Sequence, residues 1–166
     1  MAGQATSQGV AERAARLRAE RHAEHRAPES LALVTFRLGN ESYAVPADHA
    51  RGIIARQAIV PIPSTPPHVL GVTSFRGEIL PVFDLKVMLG LSQQPATPEY
   101  FVIARPGADS AALGCDSCPD IVQVLADDIK PPRSTMASPT AHYLQGHVVV
   151  RGGLIGVLDV NKVLQC

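Results

Sequence analysis

Residues Gly71 to Leu85 read GVTSFRGEILPVFDL, and the layout of this stretch decides the fold. Two apolar runs, Leu70 to Phe75 and Glu78 to Asp84, flank the pair Arg76-Gly77. Strand-forming runs separated by two residues, the second a glycine, read as a β-hairpin, because tight hairpin turns need positive φ. A short helical turn is expected next, over Leu85 to Leu89.

The same texture extends in both directions. Leu31 to Leu38 alternates as a half-buried strand, with Ala32, Val34, Phe36 and Leu38 on one side. Gly39-Asn40 is turn chemistry, and Ser42 to Pro46 resumes as a strand. Phe101 to Ala104, Ala111 to Cys115 and Ile121 to Leu125 supply further strands. Val148 to Val150 and Leu154 to Asp159 flank Arg151-Gly152-Gly153 as a second hairpin, followed by a helical turn over Asn161 to Gln165. Asp127 to Thr140, rich in proline, reads as a long surface loop.

The chain repeats itself. At an offset of 75 residues, LGVTSFRGEILPVFDLKVML lies over QGHVVVRGGLIGVLDVNKVL, matching Gly71 with Gly146, Arg76-Gly77 with Arg151-Gly152, and Asp84 with Asp159. An offset of 68 aligns the preceding stretches, Gly39 with Gly107 and Ile53 with Ile121. A unit of that size buries little surface alone, so two must pack together. The expected fold class is all-β, two small pseudo-repeated barrels packed together behind an N-terminal arm.

That arm, residues 1–29, is expected to be partly helical or disordered. Gln8 to Ala27 is rich in Ala, Arg and Glu, which favours helix, and Pro28 closes it. Its apolar stripe, Val10, Ala14 and Leu17, is thin, and a solvated helix is the expectation for this segment, His22 and His25 included.

Composition narrows the function. Of 166 residues 46 % are hydrophobic but only 4 % aromatic, so Val, Ile, Leu and Ala must build the core. Lys plus Arg number 15 and Asp plus Glu 15, with no basic stripe, which argues against nucleic-acid binding. The opening MAGQATSQGV lacks a secretory layout, and no apolar run approaches the ~20 residues that cross a bilayer. Three cysteines without framework spacing suit a reducing compartment. A cytoplasmic protein without direct membrane insertion is expected.

GVTSFRGEILPVFDL resembles the signature hairpin of CheW-like domains. FRLGNESYAVP is similar to that family's opening hairpin, LGCDSCPDIVQVLADDIKPP to its second acidic stretch, and YLQGHVVVRGGLIGVLDVNKVL to its final hairpin and helical turn. The blocks fall in order from Ser30 to Gln165. The resemblance implies two five-stranded SH3-like barrels within a domain over residues 30–166, the first barrel roughly 30–91 and the second roughly 98–166 by this alignment. It implies a non-catalytic adaptor coupling chemoreceptors to a CheA-type histidine kinase in a signalling array, with no cofactor and no metal. The implied partners are the kinase regulatory domain, the chemoreceptor cytoplasmic signalling tip and other CheW-like ring members.

The resemblance also nominates contact residues. Arg76, between Phe75 and Gly77, matches the signature arginine, where a guanidinium can make planar multi-donor contacts. Ala50, Arg51 and Gly52 occupy the family's Val-x-Glu-Ile segment, here without its glutamate, so Arg76 must pair elsewhere, with Glu78 or Asp48 as candidates, or the interface has altered specificity. A diverged regulator that keeps only one partner is the alternative reading. Asp116, Cys118 and Asp120 match the second acidic stretch, as contacts or as structural turn residues. A thiol or metal sensor built on Cys115 and Cys118 is a third reading, opposed by strand geometry, since three extended residues span ~10 Å and a disulfide needs α-carbons within ~7 Å.

Overall fold

The computed structural model describes residues 5–24, 29–132 and 139–165, with side chains in the first helix described for 9–18. Helix α1 (Ala5–Glu24) is followed by β1 (Ser30–Leu38), β2 (Glu41–Pro46), β3 (Ala50–Ala55), β4 (Val69–Phe75), β5 (Glu78–Asp84) and α2 (Leu85–Met88). The same series then recurs as β6 (Tyr100–Ala104), β7 (Ala111–Cys115), β8 (Asp120–Leu125), α3 (Pro139–Tyr143), β9 (Leu144–Val150), β10 (Gly153–Leu158) and α4 (Val160–Leu164). The helix begins three residues before the expected Gln8, and its described side chains are exposed. His25, Pro28, Cys166 and the part of the expected loop at 133–138 lie outside the described residues. No helix among the described residues is long and apolar enough to cross a membrane.

The internal repeat holds in backbone detail. The two hairpin turns are conformational twins, with φ of 49° and 83° at Arg76 and Gly77 and 51° and 78° at Arg151 and Gly152. Positive φ at both central residues is what a primed two-residue turn requires. Each hairpin ends on an aspartate that caps the following helical turn: Asp84 accepts from the backbone N–H of Lys86, and Asp159 from that of Lys162. Even the incoming loops pair alike, Val60 with Val72 and Lys130 with His147. These bridges explain Gly71 and Gly146. A Cβ would sit 2.2 Å from the Val60 carbonyl oxygen at the first and 2.6 Å from the Lys130 oxygen at the second.

There are two five-stranded sheets, but they do not sort by chain half as the linear division near residues 91–98 supposed. One runs β8-β1-β2-β10-β9 and the other β3-β6-β7-β5-β4. Each therefore takes the first hairpin of one repeat and three strands of the other. The joins are parallel, Val157 beside Ala44 and Val82 beside Ala112. Parallel neighbours need a long crossover, and here residues 85–110 join β5 to β7 and residues 47–152 join β2 to β10.

The cores follow from this exchange. Leu33, Ala44, Val148 and Val157 fill one sheet's concave side, and Phe75, Val82, Phe101 and Ile103 fill the other's. A larger shared cluster joins the sheets, with Val34, Phe36, Leu38 and Val45 against Val102, Ala104, Leu113 and Cys115. Alternate residues of β1, and likewise of β6, thus enter different cores, so those strands are apolar on both faces.

Gly71→Ala and Gly146→Ala are each expected to destabilise the protein by about 2–3 kcal/mol, since backbone must move to admit the Cβ. Gly107→Ala, with nothing within 4 Å of the added carbon, should be near neutral in the same denaturant titrations.

Candidate functional site

Strand β3 and the β4–β5 hairpin stand at opposite ends of their sheet, yet its curl brings them together. A Cβ on Gly52 would lie 3.0 Å from Cζ of Phe75, so the ring packs directly over the β3 backbone. The register between β3 and β6 shifts between Ala50 and Gly52, leaving Arg51 as the extra residue of a bulge. Bulges re-aim side chains. Here Arg51 Nη1 meets Glu78 Oε2 at 2.7 Å, linking β3 to the base of the hairpin. The hydrogen bond from Arg51 holds the Glu78 carboxyl below the usual range, aided by the charges of Arg51 and Arg105.

Arg76 is exposed at the tip. Its Cζ sits 5.0 Å from the centroid of the Phe75 ring, within cation–π range. Neither Glu78 nor Asp48 forms an ion pair with it, and Glu78 is engaged by Arg51 instead. Beside the tip, Arg105 and Asp109 from the β6–β7 turn rim a shallow groove that includes Ile79. The structure thus unites Ala50, Arg51, Gly52, Phe75, Arg76 and Gly77, with Ala50 turned inward against the shared core.

Asp116, Cys118 and Asp120 do not join this group. Asp116 neighbours α2, at the far end of β5, about 20 Å from the tip at strand rise. Its Oδ1 receives Lys86 Nζ at 2.8 Å and its Oδ2 the Gly39 backbone N–H at 2.7 Å. Burial alone would raise the Asp116 carboxyl, but the Lys86 hydrogen bond, the Gly39 N–H and the lysine charge together hold it low. The carboxylate ties the β1–β2 turn of one sheet to the helical turn of the other. Asp120 accepts from the neighbouring Ile121 N–H at 2.8 Å. Lys86, Gly39 and Arg105 were missed in the sequence, where nothing local pairs Lys86 with Asp116.

The cysteines separate. Cys115 is buried in β7, its Sγ 3.6 Å from the Tyr100 carbonyl oxygen, and burial first, then Asp116 and Cys118, push its thiol up to about 12. Cys118 is exposed and outside any disulfide, its Sγ 3.8 Å from the Pro119 carbonyl oxygen. A thiol that stays protonated at neutral pH is a poor nucleophile and metal ligand. No cluster of three or more potential metal ligands occurs among the described residues.

Asp116 ionises more readily folded than unfolded, so its contribution is complete above about pH 4 and is lost as pH falls through its folded value. Asp116→Asn should therefore cost about 1–2 kcal/mol at pH 7, and the gap to the unsubstituted protein should narrow below about pH 4 in pH-resolved unfolding curves.

The CheW-like domain profile matches residues 32–166. The chain is 26 % identical over 132 residues to the chemotaxis protein CheW of Rhizobium meliloti, covering 79 % of this chain and 85 % of that one. It is 29 % identical over 139 residues to the chemotaxis protein CheW of Treponema pallidum, covering 81 % and 82 %. Protein FrzA of Myxococcus xanthus is 29 % identical over 133 residues, covering 78 % and 82 %. The crystal structure of the scaffolding protein TtCheW from Thermoanaerobacter tengcongensis shares the fold, with a TM-score of 0.71 at 24 % identity over 82 % of this chain and 88 % of that one. The match spans both sheets and both hairpins, and the chain belongs to the CheW-like domain family.

Proposed function

We propose that this chain is a cytoplasmic, non-catalytic adaptor that couples chemoreceptors to a CheA-type histidine kinase in a chemosensory array. The partner surfaces are the kinase regulatory domain and the receptor signalling tip, with other CheW-like domains as ring neighbours. The observation that carries the reading is the hairpin tip. Arg76 projects from a turn whose two central residues both have positive φ, braced by the Phe75 ring and by the Arg51–Glu78 pair. Arg151 shares the turn conformation, with φ of 51°, so what sets Arg76 apart is the Phe75 ring beneath it and the Arg51–Glu78 pair beside it. Exposed arginines on rigid supports are frequent interface hot spots.

Nothing among the described side chains resembles a nucleophile with its base. The buried carboxylate Asp84 is consumed by the backbone N–H groups of Lys86, Val87 and Ala96, which makes it a cap and a brace. The fold offers surfaces, in keeping with relatives named for chemotaxis and scaffolding.

Purified protein should bind both the kinase regulatory domain and a receptor signalling-tip fragment in isothermal titrations. Arg76→Ala should weaken at least one of the two by about tenfold or more. Binding to one fragment only would favour the diverged regulator, and binding to neither would remove the coupling role.

A further inference from the structure

Around the hairpin tip the charges do not balance. Three arginines, Arg51, Arg76 and Arg105, gather there with two carboxylates: Glu78, held by Arg51 at 2.7 Å and feeling Arg105 as well, and Asp109, which rims the groove beside Arg105. Arg76 has no ion-pair partner among the described residues. Its guanidinium carbon instead lies 5.0 Å from the centroid of the Phe75 ring, and the side chain is exposed. The ring in turn reaches that position because residue 52 has no side chain: the Phe75 Cζ is already 3.0 Å from where a Cβ would be. The strands that meet at the tip also carry exposed aliphatic side chains, Ile79 in β5 at 68 % and Ile53 in β3 at 38 %.

We propose that Gly52 and Phe75 act as positioning residues, forming a shelf that presents the Arg76 guanidinium to a carboxylate on the partner protein beside an aliphatic contact. The inference rests on the reading that the tip is a partner contact, and it adds the chemistry of the opposing surface. A guanidinium recognises a carboxylate through two parallel N–H donors, which a lysine in its place could not reproduce. Holding the group on a ring beforehand reduces the side-chain freedom lost on docking. Partner residues facing the tip are then acidic, flanked by an aliphatic side chain that meets Ile79 or Ile53.

The test titrates the full chain against the kinase regulatory domain and, separately, the receptor-tip fragment at about 50 and 300 mM salt, a range over which exposed charge pairs are progressively screened. Arg76→Gln should lower affinity about tenfold at low salt and flatten the salt dependence in at least one titration. Arg76→Lys should keep the slope but recover only part of the affinity. Phe75→Leu should abolish the ring-current shift of the Arg76 side-chain protons and Gly52→Ala, which makes the ring give way, should change it, and both should lower affinity even where thermal unfolding shows them folded. If Phe75→Leu does not fold, Gly52→Ala carries this arm. Weaker binding of Arg76→Gln with an unchanged slope would overturn the carboxylate assignment while leaving the tip as a contact. An unaltered affinity in both titrations would overturn the contact itself. A shelf variant that loses or changes the ring-current shift yet binds as before would refute the positioning role.

Discussion

The parallel pairing of β2 with β10 and of β5 with β7 is the constraint on which the molecule depends. Through it each repeat lends its first hairpin to the other's sheet, and neither sheet exists without both halves of the chain. The lent hairpins, β1–β2 and β6–β7, are apolar on both faces because they stand back to back at the centre. The Lys86–Asp116–Gly39 connection crosses the same junction at its edge. A charged link of this kind contributes modestly, while the shared apolar cluster supplies most of the adhesion.

For function, this arrangement yields hairpin tips projecting from two hydrogen-bonded sheets that share a core. The Arg76 tip is assembled from first-repeat strands, yet β3 reaches it only because both flank the β6–β7 pair of the second repeat. The side chain is placed by backbone geometry at three points: the positive-φ turn, the bulge at Arg51 and the bare backbone at Gly52. An adaptor needs directional contacts and no reactivity, and the buried, protonated Cys115 and the fully engaged Asp84 fit that requirement.

Much of this was legible in the residues. The Arg-Gly turns, the offset of 75 residues and the matched glycines announced two hairpins of identical build. The way the strands assort was not legible, for a physical reason. When two repeats are alike, a strand meets equivalent neighbours whether the adjoining hairpin comes from its own repeat or the other. The residue pattern is therefore the same for two separate barrels and for two exchanged ones. The bulge at Arg51 was equally hidden, since one extra residue in a strand leaves no compositional mark. Asp116 was nominated by the family resemblance, as a contact or as a structural turn residue, and the groups it bonds, Lys86 and Gly39, lie 30 and 77 residues away in sequence. Conversely Gly52, which read as a lost glutamate, has a local role under the Phe75 ring that only the packing reveals.

The central claim is that the protein couples two other proteins and performs no chemistry of its own. The most direct test is kinase autophosphorylation in membranes carrying the cognate receptor, measured with and without this chain. The account predicts that adding the protein makes kinase activity receptor-dependent and responsive to attractant, with no effect on the kinase when receptor is absent. Kinase activity that follows the receptor equally well without the protein, or that the protein alters with no receptor present, would contradict it.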